Sequence, residues 1–185
     1  ILFKALKDIK PDFVVACFDV KAPTLKHAMS PLYKAKRKKA PDELYSQIAG
    51  VQKILDALDI PIFEKPGFEA DDLIGAIVLQ AKRKQVKPKI ENIILTGDMD
   101  ALQLVDEQTK VLAMRKGLKD TVLYDEKAVQ EKYAGLKPAQ LQDYRALRGD
   151  PSDNIPGVTG IGEKTAIELL SRFGSLEKLY EAIKE

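Results

Sequence analysis

Hydrophobic and polar positions change their period several times along the chain. Residues 12–19 (DFVVACFD) and 92–96 (NIILT) are short, nearly continuous apolar runs, as expected of strands buried on both faces. Residues 42–58, and the stretch that begins near Glu69, instead place apolar residues at helical spacing. Other predicted elements are a helix over residues 1–9 and strands over 60–65, 110–114 and 121–125, the last two possible partners in a hairpin around Lys116 and Gly117.

The order of these elements predicts the fold class. Strands alternate with helices in the first part of the chain, which indicates an α/β domain with a mainly parallel sheet between helices. The pattern then changes to helices only, predicted over about 138–147, over 163–173 and from Ser175. We therefore expect an α/β domain over residues 1–135 and a helical subdomain over 136–185.

Composition limits the functional classes. With 45% hydrophobic and 31% charged residues, the chain is expected to be globular, and no apolar run reaches the roughly 18 residues that span a bilayer. No signal peptide is evident, so we expect a cytoplasmic protein without a membrane partner. The single cysteine, Cys17, excludes an internal disulfide, and the single histidine, His27, disfavours a zinc site.

Charge is distributed unevenly. Residues 1–41 contain ten Lys and Arg against three Asp and Glu, a net charge of +7, whereas residues 42–185 contain 20 against 25, a net charge of −5. Residues 34–39 read KAKRKK and follow Tyr33. Such a run is either a solvated loop or a contact with nucleic-acid phosphates. A basic segment beside an acid-rich body favours a polyanionic partner next to a metal site.

Carboxylates follow two predicted strands and open a helix. Because ligands of parallel sheets bind beyond the carboxyl ends of the strands, we expect these groups to share one rim. The carboxylates are Asp19, Asp98 and Asp100 after the strands, and Glu69, Asp71 and Asp72 at the helix start.

The three acidic residues at the helix start have two interpretations. Each gains about 0.3–1 kcal/mol from the helix dipole, so capping alone is one interpretation. Two like charges about 5 Å apart repel by about 3 kcal/mol at an effective dielectric of 20, so a partly buried rim would need a cation. Oxygen ligands favour Mg²⁺ or Mn²⁺, and this many carboxylates suit two ions that together assist phosphodiester hydrolysis.

The stretch 156–166 (PGVTGIGEKTA) predicts a helix–hairpin–helix. Its glycines allow tight turns, and the helix after Gly162 offers free N–H groups to a DNA phosphate beside Lys164. Upstream, Asp150 and Asp153 lie in GDPSDN, where ordinary turn chemistry is the alternative to a metal role.

Five stretches together carry a family resemblance: FDVKAP, YKAKR, FEADD, TGDMDALQLV and YRALRGDPSDNIPGVTGIGEKTA. In this order they resemble the 5′→3′ exonuclease domain of bacterial DNA polymerase I, within the flap endonuclease family. The resemblance covers essentially the whole chain. It implies a PIN-like α/β fold followed by a helix–three-turn–helix element, and two-metal hydrolysis at 5′ flaps and 5′ ends of branched or nicked DNA, RNA primers included, in replication and repair.

The resemblance assigns roles to matching positions. Lys34 and Arg37 match the active-site cations, and Asp19, Glu69, Asp71 and Asp72 would serve a first metal ion and Asp98, Asp100, Asp150 and Asp153 a second. DNA contacts are expected from Lys26, Tyr33 by stacking on a base, Lys36, Lys38, Gly160, Gly162, Lys164 and Thr165. Backbone carbonyls that would hold K⁺ are those of Leu147, Arg148, Pro156, Val158 and Ile161.

The ends of the chain differ from the family pattern. Relatives begin with a strand that ends in V-D-G and continue beyond the position of Glu185, so we expect an internal fragment that lacks one carboxylate. The resemblance implies a monomer in the bacterial nucleoid and leaves open an attached polymerase domain. Two rival functions remain at this point: a DNA-binding module of the same fold with weak or no catalysis, and a PIN-type ribonuclease, which would have no need of the hairpin.

Overall fold

Helices and short ladders build two units along the chain. The structure, a computed structural model, describes residues 1–37, 39–83, 89–114 and 121–184. Contacts between residues divide it into Ile1–Leu79 and Gln80–Glu185. Within the described ranges, none of the helices has both the length and the apolar character needed to cross a membrane.

The first unit contains mainly helices. Its elements are α1 (Leu2–Ile9), β1 (Ala16–Cys17), α2 (Leu25–Met29), α3 (Asp42–Ala57), β2 (Ile62–Phe63) and the start of α4 (Ala70–Arg83).

Strands β1 and β2 form a short parallel ladder in which Ala16 pairs with Ile62. The N–H of Ala16 donates to the carbonyl of Pro61 at 2.9 Å, and the N–H of Phe18 donates to that of Phe63 at 3.0 Å. The ladder therefore extends slightly beyond the strands, which are still shorter than the predicted runs.

The prediction that residues 12–19 are buried on both faces is wrong. Phe13 is 89% exposed and Val15 is 44% exposed. Among the described residues, β1 pairs with β2 and with no other strand. An apolar run shows that a strand can be buried, but the burial itself requires neighbouring strands and helices on both sides.

The long helices of this unit begin and end close to the predicted positions. Helix α3 covers all but the last residue of the range predicted at 42–58, although only Leu55 among its residues is buried. Helix α4 begins directly after Glu69, and its first-turn N–H groups of Asp72 and Leu73 bond to the Glu69 carbonyl. Glu69 therefore occupies the N-cap position of α4 through its backbone carbonyl.

The second unit begins with a three-stranded sheet of order β3-β4-β5. Strands β3 (Asn92–Thr96) and β4 (Thr109–Met114) are parallel, and β5 (Thr121–Tyr124) is antiparallel to β4. The connection from β4 to β5 is too short for a parallel crossover, which explains the antiparallel pairing. The predicted turn residues Lys116 and Gly117 lie outside the described residues.

The sequence pattern missed a short helix and a short ladder in this unit. Helix α5 (Glu126–Lys132) begins at Asp125, whose carboxylate accepts the Ala128 N–H at 2.8 Å. The remaining elements are α6 (Leu141–Arg148), β6 (Gly149–Asp150), β7 (Ile155–Pro156), α7 (Glu163–Phe173) and α8 (Leu176–Lys184), with 3₁₀ turns at Met99–Leu104 and Pro138–Gln140.

The prediction of helices only after residue 136 is thus wrong at β6 and β7. Gly149 and Gly157 allow this ladder, because a Cβ on Gly157 would lie 2.4 Å from the Gly149 nitrogen.

The helical part has its own hydrophobic core. It joins α6 to α7 through buried side chains, and Gly174 ends α7 as the sequence predicts. The Gln140 side-chain amide stabilises the C-terminal end of α7 by donating to the carbonyls of Leu170 and Gly174. The buried core residues are Leu136, Tyr144, Leu147, Ala166 and Leu170.

Candidate metal centre

Glu69 is the centre of a hydrogen-bond cluster in the first unit. Its Oε1 accepts from the Lys34 ammonium at 2.6 Å, and its Oε2 accepts from the Lys26 ammonium and the Tyr33 hydroxyl, both at 2.9 Å. The Glu69 side chain is 9% exposed and that of Lys34 is 18% exposed. The two ammonium groups and the hydroxyl thus compensate a nearly buried carboxylate.

The same contacts determine the pKa of Glu69. Burial raises the pKa, but the hydrogen bonds from Lys34, Lys26 and Tyr33 outweigh it and lower the pKa to about 2. Burial acts in the opposite sense on Lys26, where bonds to Glu69 and Asp72 still leave the pKa raised. Glu69 is therefore a charged residue at neutral pH, with both oxygens engaged by cations or hydroxyl.

The other carboxylates of this unit lie around the start of α4. Asp19 Oδ1 accepts the N–H of Ala70 at 2.7 Å, and Asp72 Oδ2 accepts the N–H of Glu69 at 2.9 Å. Asp72 also pairs with Lys26 at 3.1 Å. Asp71 is exposed in the first turn of the helix. Capping is therefore present at this helix start, alongside any role in metal binding.

A tighter acidic cluster lies in the second unit. Asp100, Asp150 and Asp153 each offer a carboxylate oxygen, and these oxygens lie within 4.8 Å of one another. It is the one group of three such ligands that the described ranges of the chain contain. Asp98 adjoins it, because its Oδ1 accepts the N–H of Asp100 at 2.8 Å. We refer to Asp100, Asp150 and Asp153 as the aspartate cluster.

Local turns position the members of the aspartate cluster. Asp100 lies in the 3₁₀ turn that Asp98 caps directly after β3. The Asp150 Oδ1 accepts from the N–H and the hydroxyl of Ser152, at 2.9 and 2.6 Å. Asp153, two residues before β7, is 9% exposed. The end of β6 and the loop that follows it thus each present one carboxylate, Asp150 and Asp153, to Asp100.

The electrostatics of Asp100 are opposite to those of Glu69. Burial raises the pKa of Asp100, Arg145 opposes that rise, and Asp98, Asp150 and Asp153 add to it, so that the pKa reaches about 6. The Arg145 guanidinium lies 2.5 Å from Asp100 Oδ1. Negative charge in the aspartate cluster therefore exceeds what this arginine compensates. Oxygen ligands with an excess of negative charge fit a divalent cation such as Mg²⁺ or Mn²⁺.

Sequence reasoning missed Arg145. Its guanidinium contacts Asp100, which lies 45 positions earlier in the chain. Arg145 belongs to α6, whereas Asp100 belongs to the 3₁₀ turn that follows β3. No spacing rule connects such positions, so only the folded structure shows the pair.

The residues predicted to contact nucleic acid near the basic run differ in burial. Tyr33 is 7% exposed, its ring packs edge-on against His27, and the Lys34 ammonium lies 4.9 Å from its centre. A ring buried in this way holds Glu69 and is not open to base stacking in this conformation. Lys36 and Arg37 are exposed, whereas Lys38 lies outside the described residues.

The glycine hairpin has the predicted local geometry. Gly162 precedes α7, and Gly160 has a φ of +85°, a value that favours glycine. Lys164 and Thr165 are exposed in the first turn of α7. The helix thus begins with N–H groups beside a lysine, the arrangement that suits a phosphate.

The carbonyls expected to hold K⁺ lie at the end of α6 and within the hairpin segment. The Leu147 carbonyl accepts the N–H of Val158 at 2.8 Å, and the Val158 carbonyl accepts the N–H of Ile161 at 3.0 Å. Arg148 ends α6, and Pro156 ends β7. Each carbonyl retains a second lone pair, so these bonds leave acceptor capacity for a cation.

Family models match nearly the whole chain. The model of the 5′-3′ exonuclease N-terminal resolvase-like domain matches residues 1–134, and that of the 5′-3′ exonuclease C-terminal SAM fold matches residues 136–185. The chain belongs to the 5′-3′ exonuclease family. The predicted fold class, a PIN-like α/β region followed by a helical element, is confirmed.

Curated relatives of this chain are longer proteins. It is 47% identical over 185 residues to DNA polymerase I of Chloroflexus aurantiacus, covering 99% of this chain and 19% of the relative. It is 43% identical over 185 residues to DNA polymerase I of Bacillus subtilis, covering 100% and 20%. The chain therefore spans about a fifth of the length of these relatives.

A solved structure supports the fold of this chain. The bacteriophage T5 flap endonuclease, in a pseudo-enzyme-product complex with DNA and metal ions, matches with a TM-score of 0.77 and 21% identity. The match covers 97% of this chain and 66% of the T5 chain.

Proposed function

We propose that this chain is the nuclease part of a DNA polymerase I and hydrolyses phosphodiesters at 5′ flaps and 5′ ends of branched or nicked duplex DNA. The observation that carries the proposal is the aspartate cluster, whose oxygens lie within 4.8 Å of one another in a member of the 5′-3′ exonuclease family. The relatives' name and the T5 complex with DNA and metal ions support the substrate class.

The residues divide the chemistry between them. Asp100, Asp150 and Asp153, with Asp98, would hold one divalent ion, and Asp19, Asp71 and Asp72, with Glu69 beside them, would serve another. When bound at these residues, Mg²⁺ or Mn²⁺ would supply an activated water and positive charge for the phosphate.

Two cations complete the proposed site. Lys34 is held on Glu69 at 2.6 Å, so its ammonium is positioned before substrate arrives, and the exposed Arg37 follows in the same turn. We assign both to the charge of the scissile phosphate.

The hairpin would bind duplex DNA through its phosphates. Gly160, Gly162, Lys164 and Thr165 would grip phosphates without reading sequence, assisted by Lys26, Lys36 and Lys38 near the cleaved end. The carbonyls of Leu147, Arg148, Pro156, Val158 and Ile161 would hold a K⁺ ion, which would supply positive charge for a DNA phosphate at the hairpin. An attached polymerase domain and action as a monomer belong to the same proposal.

Cleavage of a labelled 5′-flap duplex by the intact gene product tests the proposed chemistry. With Mg²⁺ or Mn²⁺, Asp150→Asn should reduce cleavage at least about 100-fold, while flap binding in EDTA changes less than about threefold. Glu168→Gln removes the same charge from an exposed position of α7 and should cleave like the wild type. Undiminished cleavage by Asp150→Asn would refute the metal assignment.

Duplex binding tests the hairpin separately. Lys164→Ala should lower the dependence of log affinity on log salt by about one ion and weaken binding to all sequences alike. Lys178→Ala, at an exposed position of α8, serves as the control. The same salt dependence in both variants would contradict a phosphate contact at Lys164.

A further inference from the structure

Arg145 is a cation that the fold places on the aspartate cluster. Its guanidinium lies 2.5 Å from Asp100 Oδ1, and the side chains of Arg145 and Asp100 are 20% and 36% exposed. The contact is thus partly shielded from water. None of the roles assigned above uses this arginine.

Packing of α6 fixes the position of Arg145. The residue before it, Tyr144, is 3% exposed and belongs to the hydrophobic core, with Leu147 one turn on at 3%. The Tyr144 ring also packs edge-on against Tyr133, with 5.7 Å between the ring centres. A rigid helix therefore carries the guanidinium to Asp100, and the pair does not depend on a surface loop.

The contact between Arg145 and Asp100 offsets part of the negative charge of the aspartate cluster. Three carboxylates whose oxygens lie within 4.8 Å repel one another, and Asp98 adds a fourth negative charge beside them. Arg145 brings the sum of these five groups from −4 to −3. When a divalent ion arrives, the same positive charge opposes its binding, because like charges repel at this range.

We propose that Arg145 is a positioning residue that acts as a built-in counter-ion: it holds Asp100 while the aspartate cluster has no metal, and yields that oxygen when a divalent ion binds. The inference rests on the proposed metal-dependent function. Under this proposal, Arg145 lowers the affinity of the aspartate cluster for a divalent ion below the affinity that the carboxylates alone would give. A fixed orienting role, in which Arg145 remains on Oδ1 and aims the other oxygen at the metal, predicts the opposite sign on removal.

The test is Mn²⁺ binding to the 185-residue chain, measured by isothermal titration calorimetry. Arg145→Gln should bind Mn²⁺ about five- to tenfold more tightly, as expected from removing one positive charge near a divalent ion in partly solvated surroundings. Arg145→Lys keeps the charge and should remain near the wild-type Kd. Arg172→Gln changes the net charge equally at an exposed position of α7 and should leave the Kd unchanged.

Thermal unfolding gives a second measurement. In EDTA, Arg145→Gln should have a lower Tm than the wild type, and the difference should shrink with saturating Mn²⁺, because the ion then supplies the missing charge. Arg145→Met, which keeps an unbranched apolar side chain, repeats the comparison if the glutamine variant does not fold.

The outcomes separate the two proposals. If the wild type shows saturable Mn²⁺ binding but Arg145→Gln and Arg145→Met bind Mn²⁺ with an unchanged or larger Kd, the counter-ion role alone is overturned. Absence of saturable Mn²⁺ binding in the wild type overturns the proposed function together with this inference.

Discussion

Replacing Glu69 by glutamine should destabilise the first unit. Glutamine keeps the shape of the side chain and an oxygen acceptor, but it removes the charge that Lys26 and Lys34 share. The change leaves the Lys34 ammonium beside a neutral amide in a site where the Glu69 side chain is 9% exposed, whereas Lys26 still pairs with Asp72. Removing one partner of a buried ion pair is the costly case, because the remaining charge stays desolvated.

The pKa of Glu69 gives the magnitude. Its lowering from 4.5 to about 2 corresponds to about 3 kcal/mol of stability at pH 7, at 1.36 kcal/mol per pH unit. The Lys26 side chain is 39% exposed, so solvent screens its share, and we expect a loss of about 2–3 kcal/mol for Glu69→Gln. A depressed carboxylate pKa stabilises the folded state above pH 4.5, and this contribution is lost as the pH falls towards 2.

Urea unfolding followed by circular dichroism measures the effect. At pH 7 the free energy of unfolding of Glu69→Gln should lie about 2–3 kcal/mol below that of the wild type, and the difference should shrink steadily from pH 4.5 downwards. Glu64→Gln alters an exposed carboxylate that accepts from the neutral Gln52 amide, and should change stability by less than about 0.5 kcal/mol. A Glu69→Gln variant as stable as the Glu64 control, or a difference independent of pH, would refute this reasoning.

Two further predictions concern the second unit. Gly157→Ala should lower the Tm strongly, because its Cβ would lie 2.4 Å from the Arg148 carbonyl oxygen. The control Gly160→Ala meets no atom within 4 Å and should cost only about 1 kcal/mol of stability for its positive φ. Equal Tm values for the two variants in a thermal scan would contradict the close approach at Gly157. In EDTA, Asp100→Asn should be more stable than the wild type by about 1–2 kcal/mol at pH 8, after allowance for solvent screening. The stability advantage of Asp100→Asn should vanish by about pH 4, because a raised pKa destabilises the folded state only above the pKa that the carboxyl has in the unfolded chain. A stability difference that does not depend on pH would contradict this prediction.

Elements with strong periodicity were predicted well from the sequence. Strand β3 has the predicted bounds, and α7 runs from Glu163 to Phe173 as predicted. Helix α5 was missed because Asp125, its capping residue, was assigned to the end of the preceding strand. The sequence showed the chemistry of the carboxylates, but it could not show how closely they approach one another.

Contacts between distant positions limited the prediction of the site. Glu69 meets Tyr33 across 36 positions, and the hydrogen bond leaves the ring buried instead of open to a base. The stacking role of Tyr33 was assigned through the family resemblance, and a motif match of that kind carries no information on burial. The same reason hid Arg145, whose partner Asp100 belongs to a different local motif.

The two acidic regions differ in how far the fold has already neutralised them. Glu69 has a pKa of about 2 because Lys34, Lys26 and Tyr33 donate to it, so its negative charge is balanced within the protein. Asp100 has a pKa of about 6, because burial and neighbouring aspartates outweigh one arginine. A divalent ion gains most where negative charge is least compensated, so the aspartate cluster should be the stronger metal site of the two. We therefore expect Glu69 to hold Lys34 in place for a phosphate, because a metal ion at Glu69 would have to displace two ammonium groups, whereas a metal ion at Asp100 would have to displace one arginine.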